Sequence, residues 1–455
     1  MKLIYKVNDK PKLPQLIAFA FQQLLAILAA TIAVPAIVGN GMSQSAALFG
    51  AGVGTIVYLL FTKFKSPVFL GSSFTFISPM FAAFGGAVSV AGGYAGILIG
   101  AAMAGLVYVI IAIVVKFAGS KWIDKVMPPV VIGPTVALIG LSLAGNAVGD
   151  AVSGAVAGDG WEMNTAGWIS IICALVTLCV VMICSVYGKK MTKMIPFIIG
   201  IAAGYIVATI FTLCAGNNDA LRVIDFSKFS NMQWLPDFTF LKAFDGGFTE
   251  INGEYIATLA VAYVPVAFVV FAEHLADHKN ISSIIDSDLL QEPGLHRTLL
   301  GDGVGSIAGA FFGGYPNTTY GESIGCVAIT GNASVVTILA TAIVAIVAAF
   351  VAPFTTFLAT IPSCVMGGVC ISLYGFIAVS GLKMVQKVDF NKNRNLFTAA
   401  VILIAGIGGM ALKIGPVKLT NIADALILGI ITNAVLSRKK SDGEDSDENE
   451  NQLIK

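Results

Sequence analysis

The sequence predicts an all-α polytopic membrane protein, with about fourteen transmembrane segments arranged as two inverted seven-span repeats. Three observations carry that prediction. Long apolar runs recur from end to end of the 455 residues, which are 56% hydrophobic and only 12% charged, where a soluble globular chain would be about 25% charged. Lys and Arg collect in alternate loops, and the triplet Ser72-Ser73-Phe74 in one broken apolar segment has a counterpart 246 positions later, Thr318-Thr319-Tyr320, in another.

Residues 1–13 carry four lysines before the first apolar run, and no convincing small-residue cleavage site ends that run. They read as a cytoplasmic N-terminus leading into a first span, not as a signal peptide. Measured against the roughly 20 residues a helix needs to cross, spans fall near 14–37, 45–62, 92–116, 127–147, 166–187, 195–214, 255–274, 299–313, 333–352, 357–381, 396–412 and 420–437. Two further segments, near 68–87 and 314–331, are shorter, richer in Gly and hydroxyl groups, and broken. The end of the chain, 438–455, is too polar to bury anything and reads as a disordered cytoplasmic tail.

The loop charges test this layout, because Lys and Arg favour the cytoplasmic side. With the N-terminus inside, the inner loops hold Lys63 and Lys65, then Lys116, Lys121 and Lys125, then Lys189, Lys190 and Lys193, then Lys279 and Arg297. Lys383, Lys387, Lys392 and Arg394 follow, and last Arg438, Lys439 and Lys440. Intervening loops such as 85–93 and 144–160 contain neither residue. The exceptions are Lys413 and Lys418, and the long loop 215–255, where Arg222, Lys228 and Lys242 are mixed with acids. Both termini are therefore expected in the cytoplasm. The long loop falls near mid-chain, and seven crossings on either side of it, an odd number, force the two halves to be inverted. That is the pattern of a secondary transporter, whose substrate site lies between broken segments at matching places of the two halves.

The seven cysteines lie in or beside apolar runs without a short loop framework, and read as small core residues. The net charge of +1 is uninformative about partners, and no nucleic-acid partner is expected. No metal cluster, nucleotide loop or nucleophile motif stands in its required context; Gly301-Asp-Gly-Val-Gly305 has no strand before it.

The chemistry concentrates in Gly314–Gly325, a polar, Gly-punctuated insert that carries Glu322. Irregular backbone and a carboxylate are tolerated at membrane depth where they line a protected cavity; the plainer alternative is a structural acid bonded to backbone amides. Glu273 directly follows the apolar run 263–272, with Asp277 four residues on along the same helix face and His278 turned about 100° away. The plainer reading there is a helix end emerging into cytoplasm. Carboxylates accept N–H hydrogen bonds and free backbone amides donate to carbonyls, so a planar solute alternating N–H and C=O along its edge, such as a uracil-like pyrimidine, matches both. An inorganic anion would want cations instead. Phe74, Phe76 and Tyr320 lie on the broken segments and offer faces for a flat ring. Asp302 reads as a helix cap, and Asp424 has no assigned role.

Pro316-Asn-Thr-Thr-Tyr-Gly-Glu-Ser-Ile-Gly325, together with Leu70-Gly-Ser-Ser-Phe-Thr-Phe-Ile-Ser-Pro79, Ala272-Glu-His274 and Pro293-Gly-Leu-His-Arg297, resembles the bacterial uracil permeases of the nucleobase/ascorbate transporter (nucleobase:cation symporter-2) family, from Pro14 to about Leu436. Glu322 is similar to the uracil branch more than to the xanthine and urate branch, where Gln is expected. The resemblance implies a core domain, residues 14–118 (spans 1–4) and 255–353 (spans 8–11), and a gate domain, residues 119–215 (spans 5–7) and 354–437 (spans 12–14), joined by an extracellular loop 216–254. It implies short antiparallel strands in discontinuous spans 3 and 10. It also implies uracil bound by Glu273 and Glu322 with backbone at Phe74 and Gly321, and Ser73 and Tyr320 at the site.

Proton symport by movement of core against gate is implied too, with no cofactor beyond the coupling proton, a bacterial inner-membrane location and a homodimer through the gate. Two positions depart from the family pattern. The residue four after Glu273 is Asp277 rather than His, with the imidazole shifted to His278, and the expected Gln-His pair of span 1 is Gln22-Gln23. The proton-coupling candidates are Glu273, Asp277 and His278, and sodium is the alternative coupling ion. Competing readings are a purine or xanthine:cation symporter, disfavoured by the acid at 322, and an anion transporter or channel of the same fold, disfavoured by carboxylates at the site. A membrane-embedded enzyme lacks a paired nucleophile and base.

Overall fold

Apolar runs without frequent breakers become helices in lipid because a helix satisfies every backbone N–H and C=O within the segment. The computed structural model describes residues 3–119, 122, 127–158, 160–189, 191–386, 388–414 and 417–437. The expected tail 438–455 and Lys121, Lys125, Lys190 and Lys387 lie outside the described residues. The first half runs α1 (Leu13–Val38), α2 (Gln44–Phe61), β1 (Leu70–Ser72), a 3-10 turn Phe74–Phe76 leading into α3 (Ile77–Gly86), α4 (Val90–Ala118), α5 (Pro129–Ser142) continued by α6 (Ala144–Ala151), a hairpin β2 (Val156–Gly158) and β3 (Gly160–Glu162), α7 (Thr165–Tyr187) and α8 (Pro196–Leu213). The second half repeats the order: α9 (Gly253–Ile285), α10 (Leu295–Gly313), β4 (Asn317–Thr319) leading into α11 (Gly321–Thr330), α12 (Val335–Ala349) with α13 (Ala352–Ala359), α14 (Ser363–Val385), α15 (Asn393–Ile407), a hairpin β5 (Lys413–Ile414) and β6 (Val417–Lys418), and α16 (Asn421–Ser437).

Among the described residues, eight helices are long and apolar enough to cross a membrane, nine if α12 and α13, bent by 81°, form one span. The other expected crossings fall on α10, which carries Arg297 and Asp302, on the shorter helices α15 and α16, and on the half-helices α3 and α11. Three expectations are corrected. Helix α9 does not end at 274; it is 33 residues long and runs to Ile285, so Asp277 and His278 lie well inside it rather than at an emerging helix end. Asp302 caps nothing, since α10 begins at Leu295 and places it fully buried in mid-helix. Of the seven cysteines, all free, Cys179 and Cys214 are exposed rather than in the core.

Strands β1 and β4 occupy equivalent places in the two halves and pair antiparallel, with Leu70 opposite Thr319, Gly71 opposite Thr318 and Ser72 opposite Asn317. Antiparallel pairing of equivalent elements is what inverted halves produce. The pairing extends to Ser73 N–H, which donates to Pro316 O at 3.0 Å, and Tyr320 N–H, which donates to Phe69 O at 3.2 Å. The free edges are met by side chains. Leu70 N–H donates to the Thr55 hydroxyl at 2.9 Å, the Ser306 hydroxyl donates to Asn317 O, and Asn317 Nδ2 donates to Gly50 O at 3.1 Å.

The helices form two packing groups. In one, α2 and α4 pack on α10, α2 and α1 on α12, and α4 on α9. In the other, α5, α6 and α7 pack on α14, α7 on α8, and α15 on α16 and α5. The α2–α10 contact is close: a Cβ on Gly50 would stand 3.1 Å from the Gly313 Cα, and one on Gly305 would stand 2.8 Å from the Gly54 carbonyl oxygen. Small residues four apart on both helices let the backbones meet where hydrophobicity alone cannot drive association in lipid.

Two extended segments tie the ends down. The N-terminal segment pairs with the turn after α11, where Ala333 N–H donates to Tyr5 O at 2.9 Å and Val335 N–H to Val7 O at 3.0 Å. The long loop before α9 packs Phe238 on Phe49 of α2 and reaches the end of α13 through Lys228 Nζ, which donates to Ala359 O at 2.9 Å. In the turn before α10, Glu292 pairs with Lys65, whose hydrogen bond and charge hold its carboxyl below the usual range.

Gly50→Leu is expected to lower the thermal unfolding midpoint in detergent by several degrees, since overpacking a close contact costs about 1–3 kcal/mol. Gly85→Leu, where an added Cβ meets nothing within 4 Å, is the control. Equal midpoints for the two variants would contradict the close α2–α10 approach.

Candidate functional site

Because β1 and β4 interrupt their segments, the turn Phe74–Phe76 leading into α3 and the helix α11 begin beside one another, each presenting N–H groups free of helical partners at its start. A cavity of about 420 Å³ opens beside these two starts, between the two packing groups. One wall is built from the broken segments and α9: Ser73, Phe74 and Thr75, Thr318 to Glu322, and Glu273, Ala276 and Asp277. The opposite wall comes from the second group, with Val136 and Ile139 of α5, Phe197 of α8, and Leu373, Phe376 and Ile377 of α14. Lys193 lines the same cavity.

The structure brings Glu273, Glu322, Phe74, Gly321, Tyr320, Ser73 and Asp277 together in this one cavity. Glu322 lies in the first turn of α11, where the helix dipole favours a negative charge. The Thr319 hydroxyl donates to Asp277 Oδ2 at 2.6 Å, and Thr75 Oγ1 stands 3.4 Å from Glu273 Oε2. Tyr320 is held by its hydroxyl, which donates to Ser72 O at 2.8 Å. Phe74 meets Tyr374 edge-on, with ring centroids 6.0 Å apart. Phe76 is not at the cavity; it is buried and stacks on Tyr263 at 5.7 Å. The side-chain oxygens of Ser73 and Thr318 are buried without a hydrogen-bond partner among the described residues, which leaves two hydroxyls with unused capacity in the cavity wall.

His278 is placed elsewhere. It is fully buried, its Nδ1 donates to His274 O at 2.9 Å, and its Nε2 lies 2.6 Å from the Tyr58 hydroxyl. His274 stacks on it with centroids 4.0 Å apart, its own Nδ1 is 2.7 Å from Asp302 Oδ2, and its Nε2 is 3.0 Å from the Thr298 hydroxyl. Helix α9 thus turns its carboxylates to the cavity and its imidazoles to α2 and α10. Gln23 of α1 also has a tying role, its Nε2 donating to the Ser323 hydroxyl at 2.5 Å, while Phe69 N–H donates to that same hydroxyl at 3.2 Å. Asp424 accepts from Leu412 N–H at 2.8 Å.

Sequence reasoning names neither Thr75 nor Thr319 as a site residue, although Thr319 belongs to the repeated triplet and Thr75 follows its counterpart. The α14 residues carried no such signal, being apolar residues in an apolar span. Among the described residues, no group of three or more His, Cys, Asp and Glu could hold a metal ion. The site offers carboxylate acceptors, backbone and hydroxyl donors, and aromatic faces in a narrow, mostly apolar slot.

A permease family (Xan_ur_permease) matches residues 14–415. A uracil permease of Bacillus caldolyticus is 40% identical over 438 residues, covering 96% of this chain and 95% of that protein. The uracil permease of Escherichia coli K12 is 36% identical over 426 residues, covering 93% and 92%. Among solved structures, the transmembrane domain of the cyanobacterial bicarbonate transporter BicA superposes with a TM-score of 0.64 at 18% identity, covering 93% of this chain and all of that one. The murine anion transporter Slc26a9 gives 0.64 at 12% identity, covering 94% and 69%. These two likenesses are likenesses of fold.

Ser323→Ala removes the hydroxyl shared by Gln23 and Phe69 N–H at the junction of α1, β1 and α11. Phe69 N–H is then left unmet, while Gln23 Nε2 keeps its 3.2 Å bond to Ser323 O; one unmet buried donor costs about 1–3 kcal/mol, so the thermal midpoint should fall by a few degrees. An unchanged midpoint would show that the junction does not depend on this hydroxyl.

Proposed function

Since this chain belongs to the Xan_ur_permease permease family, we propose that it imports uracil across the bacterial cell membrane as a proton symporter. The observation that carries the reading is the meeting of Glu273 and Glu322 with the starts of α3 and α11 in one cavity. Uracil's ring N–H groups donate to the two carboxylates. Its carbonyl oxygens accept from backbone N–H at Phe74 and Gly321, with the Ser73 hydroxyl as a further donor. The ring lies against Phe74 and Tyr320 in a slot of apolar side chains. A carboxylate at 322 suits a donor edge, which weighs against a purine or xanthine carrier. The same carboxylates repel an anion, so the likeness to anion transporters does not extend to substrate.

The coupling ion in this reading is the proton. Three carboxyl groups, Glu273, Asp277 and Glu322, line one cavity, and like charges in a low-dielectric slot favour loading a proton along with a neutral substrate. Asp277 takes the coupling role, since it faces the cavity where His278 does not. Alternating access then follows from movement of the first packing group, the core, against the second, the gate, because the cavity lies on the seam between them. The termini are assigned to the cytoplasm by the loop charges, and the homodimer is assigned to the gate.

Uptake of labelled uracil into proteoliposomes tests the reading. Glu322→Gln and Glu273→Gln each remove a charge-assisted hydrogen bond of about 1.5–3 kcal/mol, so uptake at low uracil should fall roughly 10- to 100-fold, and a protonophore should abolish accumulation by the unaltered protein. Uptake insensitive to Glu322→Gln would defeat the proposal. Asp277→Asn is expected to flatten the dependence of uptake on external pH; an unchanged profile would remove Asp277 from the proton path.

A further inference from the structure

A second cavity, of about 390 Å³, adjoins the first and shares Ala276, Ser380 and Met384 with it. It too lies on the seam between the packing groups, with Ala272, Leu275 and Lys279 from α9 on one side and Pro129 and Ile132 of α5 with Lys383 of α14 on the other. Its floor is apolar and its rim carries two lysines, one from each group. Both lysines are exposed and neither makes an ion pair among the described residues, whereas Lys65 is paired with Glu292 and Lys242 with Asp237. Beside Lys383, α14 leaves Val379 and Leu382 exposed, 47% and 51% respectively, so apolar surface continues from the cavity onto the outside of the helix.

Two unpaired cations above an apolar cleft that opens onto an apolar helix face match an amphiphile with an anionic head. We propose that this cleft binds an anionic phospholipid, its phosphate between Lys279 and Lys383 and an acyl chain along Ile132, Leu275 and Leu382. Basic pockets between helices on the Lys-rich side of a membrane protein bind such headgroups. The occupant bridges the two packing groups at the mouth of the substrate cavity. Its binding therefore biases how far apart they stand, and transport becomes sensitive to the anionic lipid content of the membrane.

The test uses the full chain reconstituted in phosphatidylcholine alone or with phosphatidylglycerol, reading retained lipid by native mass spectrometry, the thermal midpoint, and uracil uptake. For the unaltered protein, phosphatidylglycerol should be retained and should raise the midpoint and change uptake several-fold. Lys279→Gln/Lys383→Gln should lose these responses while still folding, and Lys10→Gln/Lys12→Gln, matched in charge but away from the cleft, should keep them. If the double variant does not fold, either single substitution should weaken the responses. Responses in the cleft variants equal to those of the unaltered protein would overturn the proposal. So would inorganic phosphate reproducing the effect in phosphatidylcholine alone, which would make the occupant a free anion. Lipid retention and midpoint are read without substrate, so failure here is separate from failure of the uracil assignment.

Discussion

A peptide group that leaves a helix inside a bilayer has no water to turn to, and the pairing of β1 with β4 is how this chain meets that demand. Each strand is three residues long and would be untenable alone, since every unmet N–H or C=O at that depth costs several kcal/mol. Together they satisfy one another across the ladder, and Thr55, Ser306 and Asn317 close the edges. Everything functional follows from that arrangement. Only because the strands interrupt their segments do the turn into α3 and the helix α11 start beside one another, and only because they start there do donor-rich helix ends and Glu322 face a cavity instead of water.

The same architecture superposes on a bicarbonate transporter and an anion transporter, so the fold by itself selects no substrate. In the proposed reading, selection comes from a few side chains placed on a common frame. Carboxylates at Glu273, Asp277 and Glu322 make the cavity of this chain a place for hydrogen-bond donors, where an anion carrier would need the reverse. Thr75 and Thr319 lend those carboxylates hydroxyl partners from the strand segments, which joins the frame and the chemistry in the same few residues.

Much of this was legible in the sequence, for a physical reason. A charged, glycine-punctuated insert such as Gly314–Gly325 is costly in lipid and therefore conspicuous, and its match to Ser72–Phe74 points to the place where the two halves meet. Helical spacing puts Glu273 and Asp277 on one face of α9 and turns His278 away, but it does not tell which face meets the cavity. Four of the six residues from Glu273 to His278 are polar, so no apolar stripe tells which face looks into the cavity, and His278 proves to face Tyr58 while Asp277 faces the cavity. Asp302 was misread as a cap because the helix start, at Leu295, lies in a polar stretch that resembles a loop. The far wall was hidden for a deeper reason. Leu373, Phe376 and Ile377 look like any lipid-facing residues, since bilayer and protein interior are equally apolar.

The strand pairing has a further consequence, for biosynthesis. A ribosome delivers β1 long before β4, with more than half the chain still to be made when Ser72 enters the membrane. The N-terminal segment waits longer still, because its partners at Gly331 to Val335 follow β4. The first half therefore cannot reach its final form in the order in which it is inserted. Until the second half arrives, the peptide groups of β1 lack the partners that β4 supplies. The β1–β4 ladder needs both halves, so the step that closes it is also the step that completes the cavity wall.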